Sequence, residues 1–216
     1  AFLDRTPFFA QGPRRTNAPA VAEIGPVWLD DAVQSTQAAF GKILDRLAKS
    51  ESELAQRILT MSPDVTVSTG LSPWVNRSGL FARDPRSDTF RAENIPSSQK
   101  WNFSPEGQHL ELGIAEMNLF LALGAAGLSH SLFGARILPV GTVYDPFVCR
   151  GLDALNYACY QDARFMIAGT PSGVTLAPEG GAHQSIGTPL IGMSQDGLAS
   201  FEPAFTDELS VIMDWG

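Results

Sequence analysis

The stretch QHLELGIAEMNLFLALGAAG, Gln108 to Gly127, decides the fold. His109, Leu110, Glu111 and Leu112 read as a short strand that breaks at Gly113. Ile114, Met117, Leu119, Leu121 and Leu123, with small residues between them, then suit a helix packed on several sides. A strand turning into a helix at a glycine is a unit of an open α/β sheet, and such turns lie at the carboxyl edge of the strands, where ligands bind. The only acid of the predicted helix, Glu116, falls in its first turn. There it complements the positive helix end, an effect of about 0.3–1 kcal/mol at an exposed site. A carboxylate among apolar residues also keeps its charge only where a partner donates to it, which makes Glu116 a candidate for chemistry as well as for capping.

The rest of the chain extends this pattern. Leu59-Thr60-Met61, residues 136–140 and residues 164–168 are apolar runs without alternation, as strands covered on both faces are. Helices are predicted over 28–48, where Val33, Phe40, Ile43, Leu44 and Leu47 recur at helical spacing, over 146–160 and over 206–214. Ser50-Glu51-Ser52-Glu53 reads as a capping box opening a shorter helix through Ile58, and a last strand is expected at 198–201. Strand and helix alternate, so the fold class is α/β, with a mostly parallel sheet and helices on both faces. Residues 1–27, with prolines at 7, 13, 19 and 26, read as an extended arm, and 28–216 as the domain. The arm's Phe2, Leu3, Phe8 and Phe9 suit contact with another domain or subunit.

Two segments read as long loops. Residues 68–100 carry Arg77, Arg83, Arg86 and Arg91, either an anion site or solvated charges, and residues 169–189 are rich in Gly and Pro. Asp64, after Ser62-Pro63, is either a cleft residue at a strand's carboxyl end or a turn former. His183, on a glycine-flanked loop, either meets a substrate or is a surface histidine without a role.

Charge narrows the function. With 15 basic and 23 acidic residues, a net −8, the chain lacks the electrostatic footprint of a nucleic-acid binder. No apolar run is long enough to span a bilayer, no signal peptide is recognisable, and the two cysteines, Cys149 and Cys159, lie too far apart along one predicted helix to bridge each other, which fits a reducing cytoplasm. There is no GxGxxG after a strand, no GxxxxGK[ST], no metal-spaced His/Cys cluster and no GxSxG elbow.

Gly113-Ile114-Ala115-Glu116, preceded by Gly107-Gln108 and followed by an apolar helix, resembles the cofactor-activating segment of thiamin diphosphate enzymes of the transketolase superfamily. The likeness is nearest to the homodimeric-type decarboxylating subunit of pyruvate dehydrogenase. It covers Asp64 and then nearly all of 106–216: Tyr144 and Phe147, Gly169-Thr170 through Thr175-Leu176, Glu179-Gly180 with His183, and Glu202-Pro203-Ala204-Phe205 leading into Val211-Ile212-Met213. The resemblance implies a pyrimidine-binding domain. It implies that Glu116 hydrogen-bonds a pyrimidine nitrogen of thiamin diphosphate and promotes its imino tautomer, that Tyr144 and Phe147 pack around the aminopyrimidine, that Asp64 lies near the cofactor, and that His183 faces a 2-oxo acid substrate. It also implies a homodimer.

The sequence departs from the family's pattern in three places. The Gly-Asp-Gly motif that holds the diphosphate through magnesium is absent, so the metal ligands are expected on a separate diphosphate-binding domain, and this chain alone is expected to be inactive. Gln184-Ser185-Ile186 stands where the pyruvate dehydrogenase branch has further histidine. Pro171 stands where a transketolase would have a sugar-binding histidine, which ranks 2-oxo acid decarboxylation above ketol transfer between sugars; a non-catalytic dimerisation or regulatory module is the remaining alternative.

Overall fold

The computed structural model describes residues 17–30 and 33–216. Six strands, β1 (Ile58–Ser62), β2 (Leu80–Phe81), β3 (Phe103–Ser104), β4 (His109–Glu111), β5 (Leu138–Val143) and β6 (Met166–Gly169), form one parallel sheet in the order β3-β2-β4-β1-β5-β6. Parallel neighbours require crossovers, and nine helices among the described residues supply or flank them: α1 (Thr36–Ser50), α2 (Glu53–Arg57), α3 (Ser72–Ser78), α4 (Thr89–Ala92), α5 (Glu116–Gly127), α6 (Ser129–Phe133), α7 (Leu152–Tyr160), α8 (Thr188–Ser194) and α9 (Thr206–Trp215).

The period-2 pleat of β1 sorts its side chains between two cores. Ile58 packs with Phe40, Ile43, Leu44 and Leu47 of α1 and Trp74 and Val75 of α3, joined by Leu209 and Met213 of α9. Met61 points to the opposite face, among Leu119, Phe120 and Leu123 of α5 and Ala154 and Leu155 of α7. Helices therefore cover both faces, as the non-alternating apolar strands require.

Several boundaries differ from the sequence expectation. The first helix starts at Thr36, where the Ser35 hydroxyl accepts from the Ala38 amide, and Val33, expected on its buried stripe, is fully exposed. Ser52 alone caps α2, accepting from the Ala55 amide, so the box written as Ser50 to Glu53 does not form. The predicted loop 68–100 contains α3, β2 and α4, with Trp74 wholly buried. The predicted helix 146–160 is two elements, a 3₁₀ helix over Asp145–Gly151 and then α7. α8 begins inside the predicted loop 169–189, and no strand forms at 198–201: Leu198 packs on the α5–α7 core, while Phe201 meets the Trp215 ring edge-on at 5.6 Å. Of the predicted arm, residues 1–16 lie outside the described residues; Val27 packs on the α1 core, and its carbonyl accepts from Ser210 Oγ at 2.8 Å.

Candidate active site

β1 feeds α3 on one face of the sheet, while its neighbours β4 and β5 feed α5 and α7 on the other. Connections leaving adjacent strands toward opposite faces open a crevice at their carboxyl ends. The turn from β4 to α5 passes through Gly113 at φ +67°, a left-handed conformation that costs little only for glycine. Ala115 caps α5 without a side-chain bond, and Glu116 begins the helix, 7% exposed. Its Oε1 accepts from Arg150 Nη1 at 2.8 Å.

Arg150 reaches Glu116 because of the 3₁₀ helix. With about three residues per turn, side chains at i and i+3 eclipse, so Phe147 and Arg150 share one row, with Tyr144 just ahead of it in extended backbone. The Tyr144 and Phe147 ring centroids are 6.0 Å apart, and the Arg150 guanidinium carbon lies 3.7 Å from the Phe147 centroid. The helix is held close to α5 at Gly151, where an added Cβ would fall 1.9 Å from Phe120 Cδ2. Tyr144 Oη donates to Ser68 Oγ at 2.7 Å, tying the loop after β5 to the loop after β1.

The 169–189 segment closes over this row. Asp145, 5% exposed, accepts from the Gly173 amide through Oδ2 at 3.0 Å, and its carbonyl accepts from Thr188 Oγ1 at 3.0 Å. So anchored, the segment sets the His183 ring edge-on to Phe147 at 5.1 Å and to Tyr144 at 6.1 Å. His183 Nδ1 is buried with no hydrogen-bond partner. Glu116, Tyr144, Phe147 and His183, separated by up to 67 positions in sequence, thus form one cluster, with Arg150 as the link to Glu116. Sequence reading missed Arg150 and Asp145; the Tyr-x-x-Phe-x-x-Arg spacing is the signal that could have found the first.

Asp64 lies elsewhere along the same edge, exposed, at φ +65° after β1. Among the described residues no hydrogen bond or ring contact joins it to the other four. Its amide donates to Glu111 Oε1 at 2.7 Å, and Thr66 Oγ1 donates to Glu111 Oε2 at 2.6 Å. Behind them His109, wholly buried, places Nε2 2.9 Å from Thr66 Oγ1 and Nδ1 2.8 Å from Thr60 Oγ1. Because Thr66 gives its one proton to Glu111, it can only accept from His109, so Nε2 is the donor.

Burial pushes the Glu111 carboxyl up, but the His109 imidazole 3.7 Å away, the Thr66 hydroxyl and the Asp64 amide outweigh it and leave the group below its ordinary value. A carboxyl depressed in the fold adds stability above its unfolded pKa and loses it as pH falls through the folded value. Glu111→Gln is therefore expected to cost about 1–3 kcal/mol at pH 7 and to flatten the loss of stability below about pH 4. Urea titrations between pH 3 and pH 7 check this; parallel curves for the two proteins would contradict it.

Among the described residues no group of three His, Cys, Asp or Glu converges to hold a metal ion, and no helix is long and apolar enough to cross a membrane. Comparison with known proteins gives the lineage. The Campylobacter jejuni subsp. jejuni NCTC 11168 transketolase structure superposes with a TM-score of 0.63 over 83% of this chain and 23% of that one, at 18% identity, which supports the fold. Leishmania mexicana transketolase gives 0.61 over 90% of this chain and 23% of that one, also at 18% identity. In sequence, pyruvate dehydrogenase E1 components are similar: 28% identity over 185 residues in Pseudomonas aeruginosa, covering 84% of this chain and 20% of the relative, and 27% over 165 residues in Corynebacterium glutamicum, covering 76% and 18%. The Escherichia coli K12 protein is 24% identical over 215 residues, 98% of this chain and 24% of its own length. The chain thus spans about a fifth of the curated relatives it matches. Residues 30–216 match the family described as the pyruvate dehydrogenase E1 component middle domain, and the chain belongs to that family.

Proposed function

We propose that this chain is the pyrimidine-binding domain of a thiamin diphosphate-dependent enzyme that decarboxylates a 2-oxo acid. The observation that carries this reading is the nearly buried Glu116 carboxylate joined, through Arg150, to the aromatic cluster of Phe147, Tyr144 and His183. An acid beside flat apolar walls fits a nitrogen heterocycle: the walls take the ring faces, worth about 0.5–1.5 kcal/mol beyond area burial, and the acid takes a ring nitrogen. The cofactor, when bound, supplies a nucleophilic carbon and an electron sink for loss of carbon dioxide.

Glu116 would hold or move the proton at the pyrimidine nitrogen, as a positioned acid/base group in a dry site does efficiently. Tyr144 and Phe147 would orient the ring and keep water from it, and the unpartnered His183 Nδ1 supplies a polar contact on the substrate side. Asp64 stands at the rim. The diphosphate and its magnesium have no matching ligands among the described residues, so a separate diphosphate-binding domain provides them. Ile114, with Met117 and Leu121 of α5, and Tyr157 and Tyr160 of α7 are exposed, an apolar face suited to a second copy in a homodimer. The two free cysteines suit a reducing cytoplasm.

Turnover by the complete enzyme with thiamin diphosphate, magnesium and a panel of 2-oxo acids and ketose phosphates tests the proposal. Carbon dioxide release from pyruvate or a larger oxo acid is expected. Activity on the sugars alone would favour ketol transfer instead.

A further inference from the structure

Arg150 makes two contacts that belong together. Its guanidinium is a flat, N–H-bearing group that lies over the Phe147 ring at 3.7 Å and donates to Glu116 at 2.8 Å. A stacked plane with an N–H on that carboxylate is also what an aminopyrimidine would offer at this place once its ring nitrogen has taken a proton. Phe147 also meets the rings of Tyr144 and His183 and packs on the α5–α7 core, so a planar ligand that takes the face under Arg150 must displace the guanidinium.

Mobility separates the candidates. Tyr144 is tied to Ser68, and His183 sits on a segment anchored twice to Asp145. The Arg150 side chain is 49% exposed, against 9% for that of Glu116, and extends on a flexible stem from a backbone pinned at Gly151. It can swing into solvent while the rest of the cluster stays in place.

We propose that Arg150 is a latch on the cofactor site: it occupies Phe147 and Glu116 when no ring is bound and must swing out for the pyrimidine to enter. This rests on the reading of the site as pyrimidine-binding. Arg150 then acts through Glu116 and Phe147 as a positioning residue that sets how readily the site loads. A latch closed ten times as often as open weakens apparent affinity by about tenfold.

The test is loading of the full-length apoenzyme with thiamin diphosphate and magnesium, followed by stopped-flow tryptophan fluorescence and by titration. Arg150→Met is expected to load about tenfold faster and to bind about tenfold tighter than the unaltered protein. Arg150→Lys, which keeps a charge for Glu116 but has no plane for Phe147, is expected to fall between them, and it carries the test should the methionine variant fail to fold. Equal or slower loading by both variants would overturn the latch while leaving the pyrimidine-binding reading intact. Absence of binding by the unaltered protein and every variant would overturn that reading and the latch with it.

Discussion

Glu116→Gln in the complete enzyme is expected to lower turnover by about 10²–10⁴-fold, the range by which a positioned acid or base accelerates proton transfer, while leaving the fold in place. Glutamine matches the shape of glutamate, and its amide oxygen can still accept from Arg150, so packing around this 7%-exposed position and the start of α5 survive. What it loses is the ability to take and return a proton. Circular dichroism and thermal unfolding should overlay those of the unaltered enzyme, with the loss persisting in kcat at saturating thiamin diphosphate. Turnover within about threefold of normal would remove Glu116 from the chemistry and favour the non-catalytic module of the same fold.

The parts of this site that the sequence made legible are those whose signal is local. Gly113 followed by an apolar run announced the turn at φ +67°, and the first-turn place of Glu116 followed from it. The continuous apolar strands announced helices on both faces. Arg150 was hidden because residues 146–160 read as one α-helix, in which each step of three residues drifts by about 60° around the axis at 3.6 residues per turn. In the 3₁₀ turn that actually forms there, the drift vanishes, and Phe147 and Arg150 line up.

Short elements were hidden for a different reason. β2 and β3 are two residues each, too short to show any period, and they exist because the sheet edge pairs them. Leu198 and Phe201 mimicked a strand, but their apolar surface is taken up by the α5–α7 core and by Trp215. Tertiary packing, rather than local propensity, settles such residues.

A polypeptide of these 216 residues, tested alone, is expected to bind thiamin diphosphate with magnesium at millimolar Kd or weaker. The contacts it offers are one carboxylate hydrogen bond, worth about 1.5–3 kcal/mol to a charged group, and ring packing of about 0.5–1.5 kcal/mol. Their sum reaches only the millimolar range, about 4 kcal/mol, before the loss of ligand freedom is counted. The most charged part of the ligand finds no converging metal ligands among the described residues and a protein of net −8. The same polypeptide leaves Ile114, Met117, Leu121, Tyr157 and Tyr160 in water, which favours self-association. Calorimetric titration beside light scattering, on material shown to be folded by circular dichroism, reads both effects. Micromolar binding by a strict monomer would place the diphosphate site on this chain and the dimer face elsewhere.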